Sequence, residues 1–348
     1  MPPRVTLREI ALRCHCTTAT VSRALRNFQS ISPATRQRVQ AAAAALNYVP
    51  DPALSALVEH RRGLRQTRFV ETLTVLSPEL SWAESRRLPH RAFLIETMRE
   101  RARTLGYTLD FFHVPPTPRD LQEAARLLRR RRIRGVIIVP STPPPEELSF
   151  PWGDFAVVKL SRNPIDSRIT SVGTDISMGV HLVTRRLAGC GYRRPGLVMP
   201  AQIASHTAGE WSLFLRAVAA MHEGVRPVAD LTYEQPVHGP PALPALRAWL
   251  DAEQPDVILG FEAPALAQSL TRAGWGVPDR VALIDLDIGN LNRPGIAGLL
   301  QSRIAIGRTA IDYLHSLLLT NSLGFPDHPV TIKTACKWVD GPSMRNSA

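Results

Sequence analysis

Apolar residues in the first fifty positions recur at helical spacing in three short runs, each introduced by a capping signal. Thr6-Leu7-Arg8-Glu9 has capping-box spacing: the threonine hydroxyl can reach the Glu9 amide while the Glu9 carboxylate reaches back. Ile10 and Ala11 begin an apolar stripe, which Cys14-His15-Cys16 interrupts. Thr17 can cap a second helix, Thr18–Leu25, whose Val21, Ala24 and Leu25 fall on one face. Ser32-Pro33 supplies a cap and a proline at the first helical position, and the third helix runs through alanines to Leu46. Asp51-Pro52 repeats that cap-and-proline pair ahead of a short fourth helix. Two helices joined by a tight turn and braced by a third form the helix-turn-helix plan, which reads DNA.

From Thr72 onward the pattern changes to short apolar runs alternating with longer amphipathic ones. Strands are expected at 72–76, 107–112, 135–139, 155–160, 196–199, 228–233, 257–260 and 281–285. Helices are expected at 91–105, 119–132, 177–188, 208–221, 243–251, 264–273 and 304–319. Such alternation implies an α/β fold of doubly wound parallel sheets with helices on both faces. The length suggests two sheets rather than one. Proline-rich stretches at 140–151 and 236–244 read as surface loops.

Charge sharpens the picture of the first segment. Residues 1–68 hold eleven arginines and no lysine against Glu9, Asp51 and Glu59, so 11 − 3 = +8 of the chain's +12 lies there. Concentrated positive charge releases counterions from DNA and makes binding salt-dependent. Arginine makes up 39 of the 42 basic residues, a compositional habit that accounts for the choice of arginine but not for its concentration. Thr17, Thr18, Ala19, Thr20, Ser22 and Arg23 lie at or near the start of the second helix. Hydroxyls at a helix start suit phosphate oxygens, Arg23 could fork onto a guanine edge, and Thr18 and Ala19 could meet a thymine methyl. Hydroxyls in such places also serve simply as caps.

Several segments together resemble the headpiece of the lactose-repressor (LacI/GalR) family: 5–11, Thr20-Val21-Ser22-Arg23-Ala24-Leu25, 32–39 and Leu46-Asn47-Tyr48-Val49-Pro50. The resemblance continues into Pro52-Ala53-Leu54-Ser55-Ala56-Leu57, similar to that family's hinge helix. It implies a headpiece at 1–50 and a hinge helix with linker at 51–68. A two-subdomain, periplasmic-binding-protein-like core at 69–348 follows, its N-subdomain about 69–168 and 302–328, its C-subdomain about 169–301 and 329–345. It also implies a homodimer on pseudo-palindromic double-stranded operator DNA, with Thr6, Thr17, Thr18, Ala19, Thr20, Ser22, Arg23, Ser32 and Thr35 at the duplex. Ala53, Ser55, Ala56 and Leu57 would enter the minor groove, Leu57 as an apolar wedge between base steps. Three departures stand out: His15 occupies a turn position where the family usually has glycine, Asp51 one where it often has asparagine, and the recognition positions Thr18 and Ala19 are small, so family members do not give the operator sequence.

The same resemblance places a small effector in the cleft between subdomains, at the strand ends. Asp287 and Gln301 match polar contacts, but Glu210 stands where the usual arginine would, Phe261 for asparagine and Ser161 for an aspartate. A family-typical sugar is therefore not expected in its usual pose. Glu210, Trp211, Phe261 and Asp287 could instead meet a cationic or more apolar effector, or Trp211 and Phe261 could be ordinary core and Glu210 a solvated charge. An effector-blind regulator, or a free-standing solute receptor, would be the contrasting readings.

No Gly-x-Ser-x-Gly elbow, phosphate loop or His-Glu-x-x-His points to catalysis, so neither an enzyme nor a cofactor is expected. Cys14-His15-Cys16 lacks a second ligand pair nearby, since Cys190 and Cys336 are remote, and reads as small residues packing a turn. A basic surround could also favour a redox-sensitive thiolate there. Without an apolar leader near the start or a run of roughly twenty apolar residues, the expected place is the cytoplasm, with no membrane partner.

Overall fold

The structure, a computed structural model, describes residues 5–25, 27–28, 30–46, 48, 71–140, 150–160, 168–234, 239–288 and 295–345. The expected hinge segment at 51–68, with Ala53, Ser55, Ala56 and Leu57, lies outside the described residues, as does Ser161.

Three helices open the chain: α1 (Leu7–Arg13), α2 (Thr18–Leu25) and α3 (Pro33–Ala45). The capping box forms, with the Thr6 amide donating to Glu9 Oε2 at 2.6 Å and the Glu9 amide to Thr6 Oγ1 at 3.4 Å. Ile10, Val21, Ala24 and Val39 are wholly buried, joined by Ala11, Cys14 and Ala43. So small a core leans on its helix ends, because each cap contributes about 1 kcal/mol.

Two six-stranded sheets follow. The first runs β2 (Tyr107–His113), β1 (Glu71–Ser77), β3 (Gly135–Ile138), β4 (Ala156–Leu160), β5 (Ser171–Thr174) and β11 (Thr331–Thr334), all parallel. In the second the order is β7 (Leu231–Tyr233), β6 (Pro195–Pro200), β8 (Val257–Gly260), β9 (Ala282–Asp285), β10 (Ala297–Gln301) and β12 (Cys336–Val339). Among the described residues, β12 runs antiparallel to β10 and the other pairs of this sheet are parallel.

The central strands read as unbroken apolar runs because helices cover both faces. On one face of the first sheet, α5 (Pro89–Thr104) and α12 (Arg303–Leu319) bury Ile95, Met98, Ile311 and Leu314 against Leu73, Val75 and Val158. On the other, α6 (Pro118–Arg130) buries Leu121 and Leu128 against Val136, Ile138 and Val157. The second sheet is covered likewise by α7 (Ile176–Gly189) and α9 (Glu210–Ala219) on one side, α10 (Leu243–Glu253) and α11 (Ala263–Arg272) on the other. The short helices α4 (Trp82–Arg86) and α8 (Ala201–His206) follow β1 and β6.

Two of the three crossings between sheets, expected near 168 and 328, fall several residues later, while the third, expected at 301–302, lies between Gln301 and Arg303. Ser171–Thr174 and Thr331–Thr334, expected in the second subdomain, pair with each other inside the first sheet. Both are short and rich in threonine and serine, so they lack the apolar run that marks the central strands. The helix expected over 208–221 starts instead at Glu210, because Ala208 and Gly209 adopt left-handed backbone (φ 50° and 70°). None of the described helices is long and apolar enough to cross a membrane.

Candidate nucleic-acid interface and cleft

The turn between α1 and α2 sets the angle at which the second helix is presented. His15 takes the left-handed conformation, φ 47°, and the Cys16 amide then closes onto Ala11 O at 3.0 Å. A side chain in that region costs about 1 kcal/mol relative to glycine. Thr17 caps α2, its Oγ1 accepting from the Thr20 amide at 3.1 Å and lying 2.9 Å from Thr20 Oγ1. Asn27, also left-handed, ends α2, and the Phe28 amide donates to Arg23 O at 3.0 Å. Arg36 Nη2 ties the following loop by donating to Phe28 O and Ile31 O at 3.0 and 3.2 Å.

Of the residues expected at the duplex, Thr6, Thr17, Thr18, Ala19, Arg23 and Ser32 are exposed, while Thr20, Ser22 and Thr35 are half-buried. Thr6, Thr17 and Ser32 are engaged as helix caps, Ser32 accepting from the Thr35 amide at 3.3 Å. With Val21 and Ala24 buried beneath, α2 turns Thr18, Ala19 and Arg23 outward. That surface is cationic and hydroxyl-bearing, which suits an anionic groove.

Burial argues against a thiolate at Cys16. Cys14 is buried with Sγ 3.7 Å from Arg38 O, and burial, then Cys14, push the Cys16 thiol up rather than toward thiolate despite Arg38. Among the described residues no group of three or more His, Cys, Asp or Glu side chains is placed to hold a metal.

A second site forms where the chain passes between the sheets. Because β5, β11 and β10 all leave their sheets at their carboxyl ends, the strand ends of both sheets face one another there. Polar side chains lace the three crossings together. Thr174 Oγ1 donates to Gln301 Oε1 at 2.7 Å, and Gln301 Nε2 donates to Leu286 O at 2.7 Å. Lys333 Nζ lies 3.7 Å from Asp175 Oδ1, and Cys336 Sγ lies 3.9 Å from Asp175 O. Arg303, the first residue of α12, pairs with Asp287 beyond β9. Across the mouth, Gln202 Nε2 donates to Glu79 Oε1 at 3.3 Å, joining α8 to the loop after β1. Burial, chiefly, and then Asp175 and Asp287 push the Cys336 thiol up to about 12, so it stays protonated.

The residues expected to meet an effector are engaged as follows in the structure. Gln301 spends both ends of its amide on the protein, and Asp287 holds an internal guanidinium. Trp211 and Phe261 are 2% and 6% exposed and meet edge to face at 5.6 Å inside the core of the second sheet. Of the two readings left open for them, packing is the one their positions fit. Glu210 is buried at the start of α9, so it is not a solvated charge. Sequence reading missed Glu79, Gln202, Lys333 and Arg303; three of them follow strands and Lys333 is next to last in β11, which is the signal that could have found them.

Comparison with known proteins puts this geometry in context. Residues 6–51 match the family model for bacterial regulatory proteins, lacI family. Over 320 residues the chain is 22% identical to the HTH-type transcriptional repressor PurR of Haemophilus influenzae (strain PittEE), covering 89% of this chain and 90% of the relative. It is 26% identical over 319 residues to the sucrose operon repressor of Shigella flexneri, covering 87% and 91%. Among solved structures it resembles the lac repressor dimer bound to operator and the anti-inducer ONPF, with a TM-score of 0.58 at 18% identity over 98% of this chain and 99% of that one. A complex of the regulator CelR with cellobiose gives a TM-score of 0.59 at 20% identity, covering 98% and 100%. At these identities the structural likeness speaks for the fold.

Proposed function

We propose that this chain, which belongs to the lacI family of bacterial regulatory proteins, is a sequence-specific DNA-binding transcriptional regulator, read as a repressor. The observation that carries this is α2, capped at Thr17, anchored through Val21 and Ala24, and presenting Thr18, Ala19 and Arg23 outward. A helix so presented enters the major groove, its amino end near base edges and its hydroxyls near phosphates. The headpiece spans 1–50, the hinge helix and linker 51–68, and the core 69–348. Two copies on a two-fold axis read half-sites about one helical turn apart. Leu57 wedges the minor groove between them.

The core supplies control rather than chemistry. A small molecule at the strand ends alters how the two sheets meet, and the hinge segment next to Glu71 transmits the change as order or disorder. The polar lacing at Thr174, Asp175, Asp287, Gln301 and Arg303 is the element whose balance such a molecule shifts. Its crossing point sits among carboxylates and an internal ion pair, which favours an effector unlike a neutral sugar.

The test is a mobility-shift selection of genomic fragments with the intact chain at modest ionic strength. A fragment retained against mixed-sequence competitor, and weakened by Leu57→Ala with the core still folded, is the expected result. No fragment preferred over competitor refutes the reading.

A further inference from the structure

The first sheet has a second charged edge that the cleft and the recognition helix do not use. In a parallel sheet with crossover helices, the strand starts and the helix carboxyl ends share one edge, opposite the cleft. Here that edge holds Glu71, where the chain enters from the hinge segment, and the ends of α5, α6 and α12. The headpiece lies against it, with Asn321 Nδ2 donating to Asn27 O at 2.8 Å. An open groove of about 810 Å³ runs between them, lined on the core side by Arg129, Arg131, Arg132 and Arg134.

Five of the six residues from 129 to 134 are arginine. Two of them are neutralised in place. Arg129 pairs with Asp154 at 2.6 Å, and Arg134 with Glu71 at 3.2 Å while also donating to Asn321 Oδ1 at 3.1 Å. Arg130, Arg131 and Arg132 are exposed; Arg131 stands over the Phe112 ring at 5.4 Å, and among the described residues no carboxylate pairs with Arg130 or Arg132. Exposed Arg103, at the end of α5, adds a further charge at the same edge.

One or two cations satisfy a helix carboxyl end, so the macrodipole does not explain this density. The backbone argues the same way. Arg132 has φ 58°, and the Ile133 amide donates to Leu128 O at 2.9 Å, a helix-ending turn whose left-handed position favours glycine or asparagine. The chain keeps an arginine where its backbone would be better served by either.

We infer that this arginine edge is a second, sequence-independent surface for the phosphate backbone of duplex DNA. It faces the side from which the headpiece projects, and guanidinium forks suit phosphate oxygens. It adds counterion-releasing contacts to those of the headpiece, which strengthens non-specific binding and speeds the search along DNA. The inference rests on the DNA-binding reading above.

The experiment compares the intact chain with the variant Arg130→Gln/Arg131→Gln/Arg132→Gln on a labelled mixed-sequence duplex of about 40 base pairs, by fluorescence anisotropy through a salt series. Each lost phosphate contact lowers the slope of log affinity against log salt by about 0.9, so the variant loses about two to three from the slope and at least about tenfold in low-salt affinity. Equal slopes and affinities, with circular dichroism showing both proteins folded, overturn the inference while leaving the DNA-binding reading intact. Failure of the unaltered chain to bind any duplex overturns both. Vesicles containing phosphatidylserine provide a second probe: binding that the variant loses while its duplex slope stays unchanged assigns the edge to a membrane surface and also overturns it.

Discussion

Replacing Arg303 tests whether the crossing between the sheets is held by its own ion pair. Arg303 and Asp287 side chains are 14% and 22% exposed, between the fully buried and surface regimes. Breaking a fully buried pair by removing one partner costs about 3–5 kcal/mol, whereas surface pairs contribute about 0.2–1 kcal/mol. Arg303→Ala therefore costs about 2 kcal/mol, because it leaves Asp287 charged beside Asp285, which is 1% exposed and accepts the Asp287 amide at 2.9 Å. Asp287→Ala costs less, since it removes a carboxylate from beside buried Asp285 and the long Arg303 stem lets its guanidinium reach toward water. The double variant should be more stable than the sum of the singles implies, with a coupling energy of about 1–2 kcal/mol. Urea unfolding of the intact chain, followed by tryptophan fluorescence, measures all four proteins. Additivity within about 0.5 kcal/mol would refute the reasoning, because the two side chains would then act independently.

Arg23→Ala should weaken binding to the preferred fragment by about 1–3 kcal/mol and relax preference at one base pair, measured by titration against single-base variants of that fragment. His15→Gly should relieve the left-handed turn by roughly 1 kcal/mol, seen as slower amide exchange in α1 and α2; unchanged exchange would show that the turn carries no strain. For Asp175, burial opposes ionisation, but the Ser177 hydroxyl, the Met178 amide and the Lys333 ammonium outweigh it and hold the carboxyl below the usual range. A depressed carboxyl stabilises the fold fully above its unfolded pKa and loses that contribution as pH falls through the folded value. Thermal melts from about pH 7 down to about pH 3 should therefore show Asp175→Asn less stable than the parent at the upper end, and the gap closing at the lower.

What the sequence disclosed was what neighbours in the chain decide. The capping box at Thr6 and Glu9, the Ser32-Pro33 start and the buried face of Val21 and Ala24 depend on residues three or four apart, so spacing alone exposes them. The apolar central strands were legible for a similar reason, since burial on both faces leaves an unbroken run. Ser171–Thr174 was not, because its strand character comes from β4 and β11, the latter about 160 residues away. Its small, polar side chains carry no local mark of it. The arginine run at 129–134 is visible as composition, but its place on the hinge-side edge follows only from knowing which end of the sheet is which.

The cleft was harder still, because a residue type does not say whether its partner is a ligand or the protein itself. Asp287 and Gln301 have the chemistry to meet an effector; Gln301 spends both ends of its amide on the protein, and Asp287 pairs through one oxygen with Arg303. Any molecule seeking Asp287 must displace or share the Arg303 guanidinium, which is tethered at the spot and needs no diffusion to return. If that pair is coupled by about 1–2 kcal/mol, displacement weakens such a ligand by roughly 5- to 30-fold relative to a site with a free carboxylate. A ligand that replaces the guanidinium with a cation of its own recovers much of that loss, whereas a neutral hydroxyl does not. The same competition would couple binding to shape: a ligand that freed Arg303 would loosen the start of α12 from the second sheet, linking occupancy at Asp287 to the approach of the two sheets.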